Sequence, residues 1–258
     1  MPIASELPVD TSASAAQMAD AMFGSGITVL NASYTGAKDA SGIYSDGDTV
    51  ASEITPSDTG VILSTGNAAD VTNSSGDVNT SSRTTTRHGE AGDSDLTDLA
   101  GMQTYDAAVF EANFIPAGST LTMQFVFSSE EYLEYVNKGF NDAVGVWVNG
   151  EQAELTIGSG DISIDNINDG SNQDLYVDNN QHDDTYNTEM DGFTITLTLT
   201  APVKPGQVNS IKIGIADAGD DKYDSNLLIA GDSIQTALVA GDDEITLDEG
   251  SSDTLDVL

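Results

Sequence analysis

Residues 193–200 read FTITLTLT. Apolar and polar residues alternate there without a break, and a period of two belongs to an extended strand with one buried face. Phe193, Ile195, Leu197 and Leu199 are expected to face inward and the four threonines outward. The same period returns in LTMQFVF (121–127), with Leu121, Met123, Phe125 and Phe127 on one face, and in IKIGI (211–215), with Ile211, Ile213 and Ile215 on one face. Shorter apolar runs lie at 27–30, 60–64, 144–148 and 226–234. Asn149-Gly150 follows VGVWV, and this pair favours the two-residue turn that sends a hairpin back, here into EQAELTI. The stretch TSASAAQMADAMF (11–23) reads as a short helix that Thr11, Ser12 or Ser14 can cap and Gly24 can stop. Strands do not alternate with helices, which disfavours an α/β fold. The fold expected is mainly β: an antiparallel two-sheet β-sandwich, jelly-roll-like, with a short N-terminal helix.

Two long segments interrupt the strands. Residues 72–95 are rich in Ser, Thr, Asn, Asp and Gly and read as a long loop. Loops of that length inside a domain are often functional. Residues 158–191 are dense in Asp and Asn and read as loop, and the stretch 165–192, which could bind calcium, a ligand or neither, as a surface loop. The character changes again at GDDEITLDEGSSDTLDVL (241–258), which stops within an apolar pattern. Residues 1–235 are therefore expected to form one β-sandwich domain, and 236–258 a linker with the first strands of a truncated following repeat.

Charge narrows the choice of partners. The chain carries 43 acidic and 7 basic residues, a formal charge of -36. No basic stripe exists to neutralise phosphates, so nucleic acid is excluded as a partner, and docking on anionic lipid is disfavoured. Self-repulsion on this scale opposes a compact state. High salt or bound divalent cations relieve it, and calcium suits clustered Asp, Glu, Asn and backbone oxygens. There is no cysteine, hence no disulfide and no thiolate metal site. An acidic, cysteine-free chain rich in Asp, Asn, Gly and Thr fits bacterial surface proteins held together by calcium. The N-terminal stretch MPIASELPVDTSASAAQMADAMFG lacks the basic and apolar regions of a Sec signal, and no run approaches the ~18 apolar residues of a membrane span. The chain is then either cytoplasmic or exported through a C-terminal signal.

Two acidic stretches suggest where cations sit. In FSSEEYLEYVNKGFND (127–142), Glu130 and Glu131 are adjacent and on a strand would point to opposite faces. Tyr132, Tyr135 and Phe140 can pin the segment while Asn141 and Asp142 return more oxygens. In IADAGDDKYDSN (215–226), Asp217, Asp220, Asp221 and Asp224 follow an inward strand. The spacing is not that of an EF-hand, which needs a Gly at its sixth position. Asp191, before Gly192 and a strong strand, is the expected ligand of the 165–192 stretch. The metal set expected is Glu130, Glu131, Asp142, Asp191, Asp217, Asp220 and Asp224, with Ca2+ as the ion. The plainer reading is a solvated acidic face with an aromatic staple. Arg83, Arg87 and His88 stand out because bases are scarce, and are expected to pair with Asp93 and Asp95.

Catalysis finds little in the sequence. The histidines, His88 and His182, lie in polar stretches, and HExxH, P-loop, Rossmann and GxSxG patterns are missing. A hydrolase remains the rival reading, with acid/base carboxylates among Glu130, Asp142 and Asp217. It requires two carboxyls facing across a cleft. A structural spacer without ligand is the third.

The blocks NASYTGAKDASG (31–42), GVILSTGNAADV (60–71), GDSDLTDLAG with TYDAAVFE (92–111), FVFSSEEYLEYVNKGFNDAVGVWVNG (125–150), LYVDNN (175–180), DGFTITLT (191–198) and IKIGIADAGDDKYDSNLLIAG (211–231) occur in the order found in the choice-of-anchor L domain, which the chain resembles. Val144 and Val146 depart from a pattern that is usually more aromatic there. The resemblance implies a bacterial extracellular module and supplies no ligand. Residues 241–258 resemble the opening of cadherin-like or Ig-like repeats in secreted repeats-in-toxin adhesins, which implies type I secretion through a distant C-terminal signal. Together these give the expectation: a calcium-stabilised, non-catalytic module of a large secreted adhesin at the bacterial cell surface, active in adhesion or biofilm. It would be a monomeric unit of a longer chain, with a glycan or protein as ligand and no membrane insertion.

Overall fold

The computed structural model describes residues 3–180 and 185–236. His182 and residues 237–258, with the expected repeat, lie outside the described residues. Strands are numbered in chain order. One sheet runs β1 (Val9–Asp10), β3 (Ser41–Tyr44), β4 (Gly60–Ser64), β14 (Ser225–Ala230), β6 (Thr120–Ser129), β11 (Gly192–Thr194) and β10 (Tyr176–Asp178). Further along β6 pair β12 (Leu197–Pro202) and β15 (Gln235–Thr236), and β9 (Glu154–Leu155) pairs with β12. The second sheet runs β2 (Ile27–Thr35), β5 (Thr104–Pro116), β13 (Asn209–Ala218), β7 (Ala143–Val148) and β8 (Glu151–Gln152). Every strand pairing is antiparallel, as expected of a sandwich.

The alternation of the sequence is what closes the two sheets together. Leu121, Met123, Phe125 and Phe127 of β6 meet Ile211, Ile213 and Ile215 of β13 in one buried cluster. Burying each such side chain stabilises by about 1.5–3 kcal/mol, so these seven residues contribute substantially to holding the sheets together. Helix α1 (Ala15–Met22) adds Met18, Ala19 and Met22 to that cluster. Of the three capping candidates it is Ser14 that starts the helix: its hydroxyl accepts from Gln17 N at 3.3 Å while Gln17 Oε1 accepts from Ser14 N at 3.0 Å. The outer face of the first sheet is covered too, by Leu7, Ile54, Val71 and Met190 over Ile62, Val126, Phe193 and Leu228.

Four expectations are corrected. FTITLTLT is not one strand. Phe193 pairs with Ser128 but Leu197 pairs with Phe125, so three residues on one side oppose two on the other. Thr194 Oγ1 accepts from Phe127 N at 3.1 Å in this bulge. An extra residue flips the faces: Phe193 joins the outer cluster, Leu197 the inner one, and Ile195 is left 38% exposed. Among its described residues the stretch 165–192 is not a plain surface loop, because Ile167 and Leu175 enter the main core, as do Ile162 and Ile164 just before it. Their polar backbone is satisfied locally, with Asn168 Nδ2 donating to Ile164 O at 2.8 Å and its Oδ1 accepting from Gly170 N and Ser171 N. The loop of 72–95 ends two residues short, since helix α2 (Ser94–Ala100) begins there, capped by Asp93 Oδ1. Asp93 and Asp95 take Lys212 Nζ at 2.7 and 2.6 Å, not the arginines of the loop, and Arg87 pairs with Asp221 at 3.2 Å.

Candidate cation-binding site

The strands β6, β13 and β14 carry their alternation past the apolar core into one end of the sandwich, and there it turns acidic. On β13, Asp217 is next in the inward series after Ile215, two residues on. On β6, Ser129 follows Phe127 inward and ends the strand; in the turn beyond it, Glu131 N donates to Ser129 Oγ at 2.9 Å and the Glu131 carboxyl lies beside Asp142. On β7 the series Val148, Val146, Val144 ends at Asp142. Glu131, Asp142 and Asp217 are thus delivered from both sheets to the gap between them, each about 1% exposed. Asp142 Oδ1 accepts from Ala218 N at 3.1 Å. Glu131 Oε2, Asp142 Oδ2 and Asp217 Oδ1 are buried with no hydrogen-bond partner. Burial pushes all three carboxyls up, and the repulsion of Asp142 adds to it for both Glu131 and Asp217.

A second set lies on the other side of the same sheet. Glu130 is the first residue beyond β6, where its carboxyl lies beside Asp191 and accepts from Thr84 N; on β6 itself Val126 packs in the outer cluster. Across the sheet, Asn226 pairs with Ser128, and Asp191 precedes Gly192, the partner of Ser129. The flip at the bulge after Phe193 is what points Asp191 this way. Glu130 and Asp191 are buried, and burial raises Glu130 to about 9 and Asp191 to about 7. Glu130 Oε2, Ser128 Oγ and Asn226 Oδ1 have no partner.

Residues 79–90 cross this end as a strap, and its backbone is read by carboxylates. Thr80 N and Ser81 N donate to Glu189 Oε2, Thr84 N to Glu130 Oε1, Thr86 N to Asp224, and His88 N and Glu90 N to Asp106. Asn79 Nδ2 donates to Asp191 Oδ1 at 3.1 Å and leaves its own Oδ1 buried and unpartnered. Asp224 fits because position 66 is glycine: a Cβ there would come within 1.8 Å of Asp224 Oδ2. Burial lifts Asp224 to about 7 against the pull of the Thr86 N–H.

The aromatic pins act as the sequence suggested. Tyr132 is buried between Phe127 and Tyr176, with ring centroids 6.2 and 4.7 Å away, and Tyr135 meets Phe140 edge-on at 5.6 Å. Gly192 leaves room for both tyrosines, since a Cβ would lie 2.7 Å from each ring.

Six of the seven candidate ligands are therefore brought to one end and buried. The seventh, Asp220, sits at the rim and pairs with Lys222 at 2.8 Å. Among the described residues no three carboxylates or imidazoles converge on one point as a finished metal centre does. The residues fit a hard cation by another measure: buried oxygens of Asp, Glu, Asn and Ser that nothing in the chain satisfies. Sequence reasoning missed Asn79, Asn226, Ser128, Asp106 and Glu189. Asn226 and Ser128 could have been found by continuing the strand alternation. Asn79, Asp106 and Glu189 could not, because they arrive from distant loops and a bulge.

Among the described residues the carboxyls singled out for hydrolysis line no open cleft. A hydrolase needs carboxyls that reach a polymer, and Glu130, Asp142 and Asp217 are each sealed from solvent. The cavity of about 480 Å³ between β7, β9 and β12 is lined by Val144, Val146, Leu155, Leu199 and their neighbours, and contains none of them.

The chain belongs to the choice-of-anchor L domain family, whose profile matches residues 8–235. Membership identifies it as an extracellular surface module and points away from catalysis. Among curated proteins no relative matches. A family 35 carbohydrate binding module from an environmental isolate is similar at 16% identity, over 66% of this chain and 98% of that one, with a TM-score of 0.26. Among the described residues no helix is long and apolar enough to cross a membrane.

Proposed function

We propose that this chain is a calcium-stabilised module of a large secreted bacterial surface protein, acting in adhesion or ligand display. One observation carries the calcium reading: Glu131, Asp142 and Asp217 present buried oxygens without partners in the gap between the sheets. Buried carboxylates that face one another without a counter-charge oppose folding strongly when ionised. At neutral pH the chain must either hold protons there or bind a cation, and calcium takes 6–8 oxygen ligands of this kind. The cysteine-free composition and the family both suit surroundings where calcium is plentiful. The display role rests on the family, and its ligand class is a glycan or protein on a surface.

A thermal melt in EDTA, in millimolar calcium and in millimolar magnesium tests this. Binding to the folded state alone contributes about 2.7 kcal/mol at a hundredfold excess over Kd. A calcium-selective rise of several degrees is expected. Equal midpoints in all three buffers would remove the calcium reading. Binding of the calcium-loaded chain to a glycan and peptide array tests display, and a blank array would leave a structural spacer.

A further inference from the structure

Given the calcium reading above, on which this rests, we propose that the chain binds a second divalent cation at a separate site formed by Glu130, Asp191, Ser128, Asn226 and Asn79, and that this ion fastens the strap 79–90 to the sheet. Glu130 and Glu131 are neighbours in sequence but serve opposite sides of one sheet, so one ion cannot serve both. Glu131 lies beside Asp142 between the sheets, whereas Glu130 lies beside Asp191 and takes Thr84 N of the strap.

The oxygen inventory of the second site is independent of the first. Glu130 Oε2, Ser128 Oγ, Asn226 Oδ1 and Asn79 Oδ1 are all buried and all lack a partner. The nitrogen ends of the two amides are already used: Asn226 Nδ2 donates to Met190 Sδ and Asn79 Nδ2 donates to Asp191 Oδ1 and Asn179 O. Those bonds occupy the nitrogen end of each amide, so it is the oxygen end that remains free for a cation. Two carboxylates, two amide carbonyls and a hydroxyl make an all-oxygen set that suits calcium rather than zinc or copper. The charge of one divalent ion balances the two carboxylates. The strap does not supply that charge itself, because Arg83 and Arg87 are exposed and Arg87 is engaged by Asp221.

The strap gains from the ion directly. It contributes Asn79 as a ligand, and five residues later Thr84 N holds the other oxygen of Glu130. An ion on Glu130 and Asn79 therefore ties both ends of that interval to β6. Without it, the strap is left with N–H bonds to carboxylates that repel one another.

The test is the calcium stoichiometry of the full chain by calorimetric titration and native mass spectrometry, with amide exchange over 79–90 followed in parallel. The wild-type chain is expected to bind two calcium ions, Asp217→Asn one and Glu130→Gln one. Exchange in the strap should be fast in Glu130→Gln and slow in Asp217→Asn, both in calcium. Two ions in Glu130→Gln, or an unchanged strap, would overturn the second site. A wild-type chain with one ion, lost in Asp217→Asn and kept in Glu130→Gln, overturns the second site alone and leaves the first. No ion in the wild type overturns both. Ser128→Ala guards against misfolding, since it removes only an unpartnered hydroxyl. It should weaken one of the two binding constants by roughly tenfold, and two unchanged constants would overturn the ligand set.

Discussion

The middle and the end of the same three strands are built on opposite principles. Along β6, β13 and β14 the middle of the inward face is Phe127, Ile215 and Leu227, packed in the main core. Two residues further the same face carries Ser129, Asp217 and Ser225, with Ser225 Oγ donating to Ser129 Oγ at 2.8 Å. The middle stabilises the chain by excluding water and needs nothing else. The end excludes water equally well but surrounds charge, so its stability depends on what neutralises that charge. A rigid apolar frame is what allows carboxylates to be held away from water at all.

Four measurements can break or sharpen this contrast. Phe125→Ala in the middle should cost about 3–5 kcal/mol, by the same amount in EDTA and in calcium. A loss that depends on calcium would mean the two regions are not separable. Asp217→Asn at the end should abolish much of the about 2.7 kcal/mol that saturating calcium contributes, while raising stability in EDTA by removing a buried charge. Denaturant melts in the two buffers read both signs, and destabilisation in both would show a purely structural aspartate.

The third is a pH series. Burial lifts Glu130 from 4.5 to about 9 in the folded chain. The folded state then binds its proton more tightly than the unfolded state, so the contribution is full below about 4.5 and is lost as pH rises to about 9. Metal-free protein should therefore lose stability from mildly acidic to alkaline pH. Calcium competes with the proton and should reverse that slope, because more ligand oxygens ionise as pH rises. Parallel slopes with and without calcium would place the ion elsewhere. The smallest effect is Ser14→Ala, which removes the α1 cap and should cost about 1 kcal/mol. The cap lies far from the carboxylates in the packing order, so calcium should not alter that cost.

Legibility followed the same division. The strands of the middle were readable because a period of two is a local property, as in LTMQFVF, where each inward residue is inward in the structure. FTITLTLT misled because its bulge is not written in its alternation. Thr194 takes a ladder hydrogen bond only because β6 offers Phe127 N at that height. The isoleucines of 158–191 were hidden among Asp and Asn that look solvated but in fact satisfy backbone.

The sequence by itself determined the sandwich, the acid excess and the two acidic stretches that carry most of the buried carboxylates. That Glu130 and Glu131 diverge was suggested by alternation, but β6 ends at Ser129 and it is the turn beyond it that sets them apart. Only the tertiary structure decided which acids lose water and which keep it. Glu131 is buried and Glu134, three residues on, is exposed. Asp217 is buried and Asp220 is held at the rim by Lys222. Desolvation is a property of everything packed around a group. It depends here on a strap, a bulge and a second sheet that arrive from elsewhere in the chain, and no local pattern encodes their meeting.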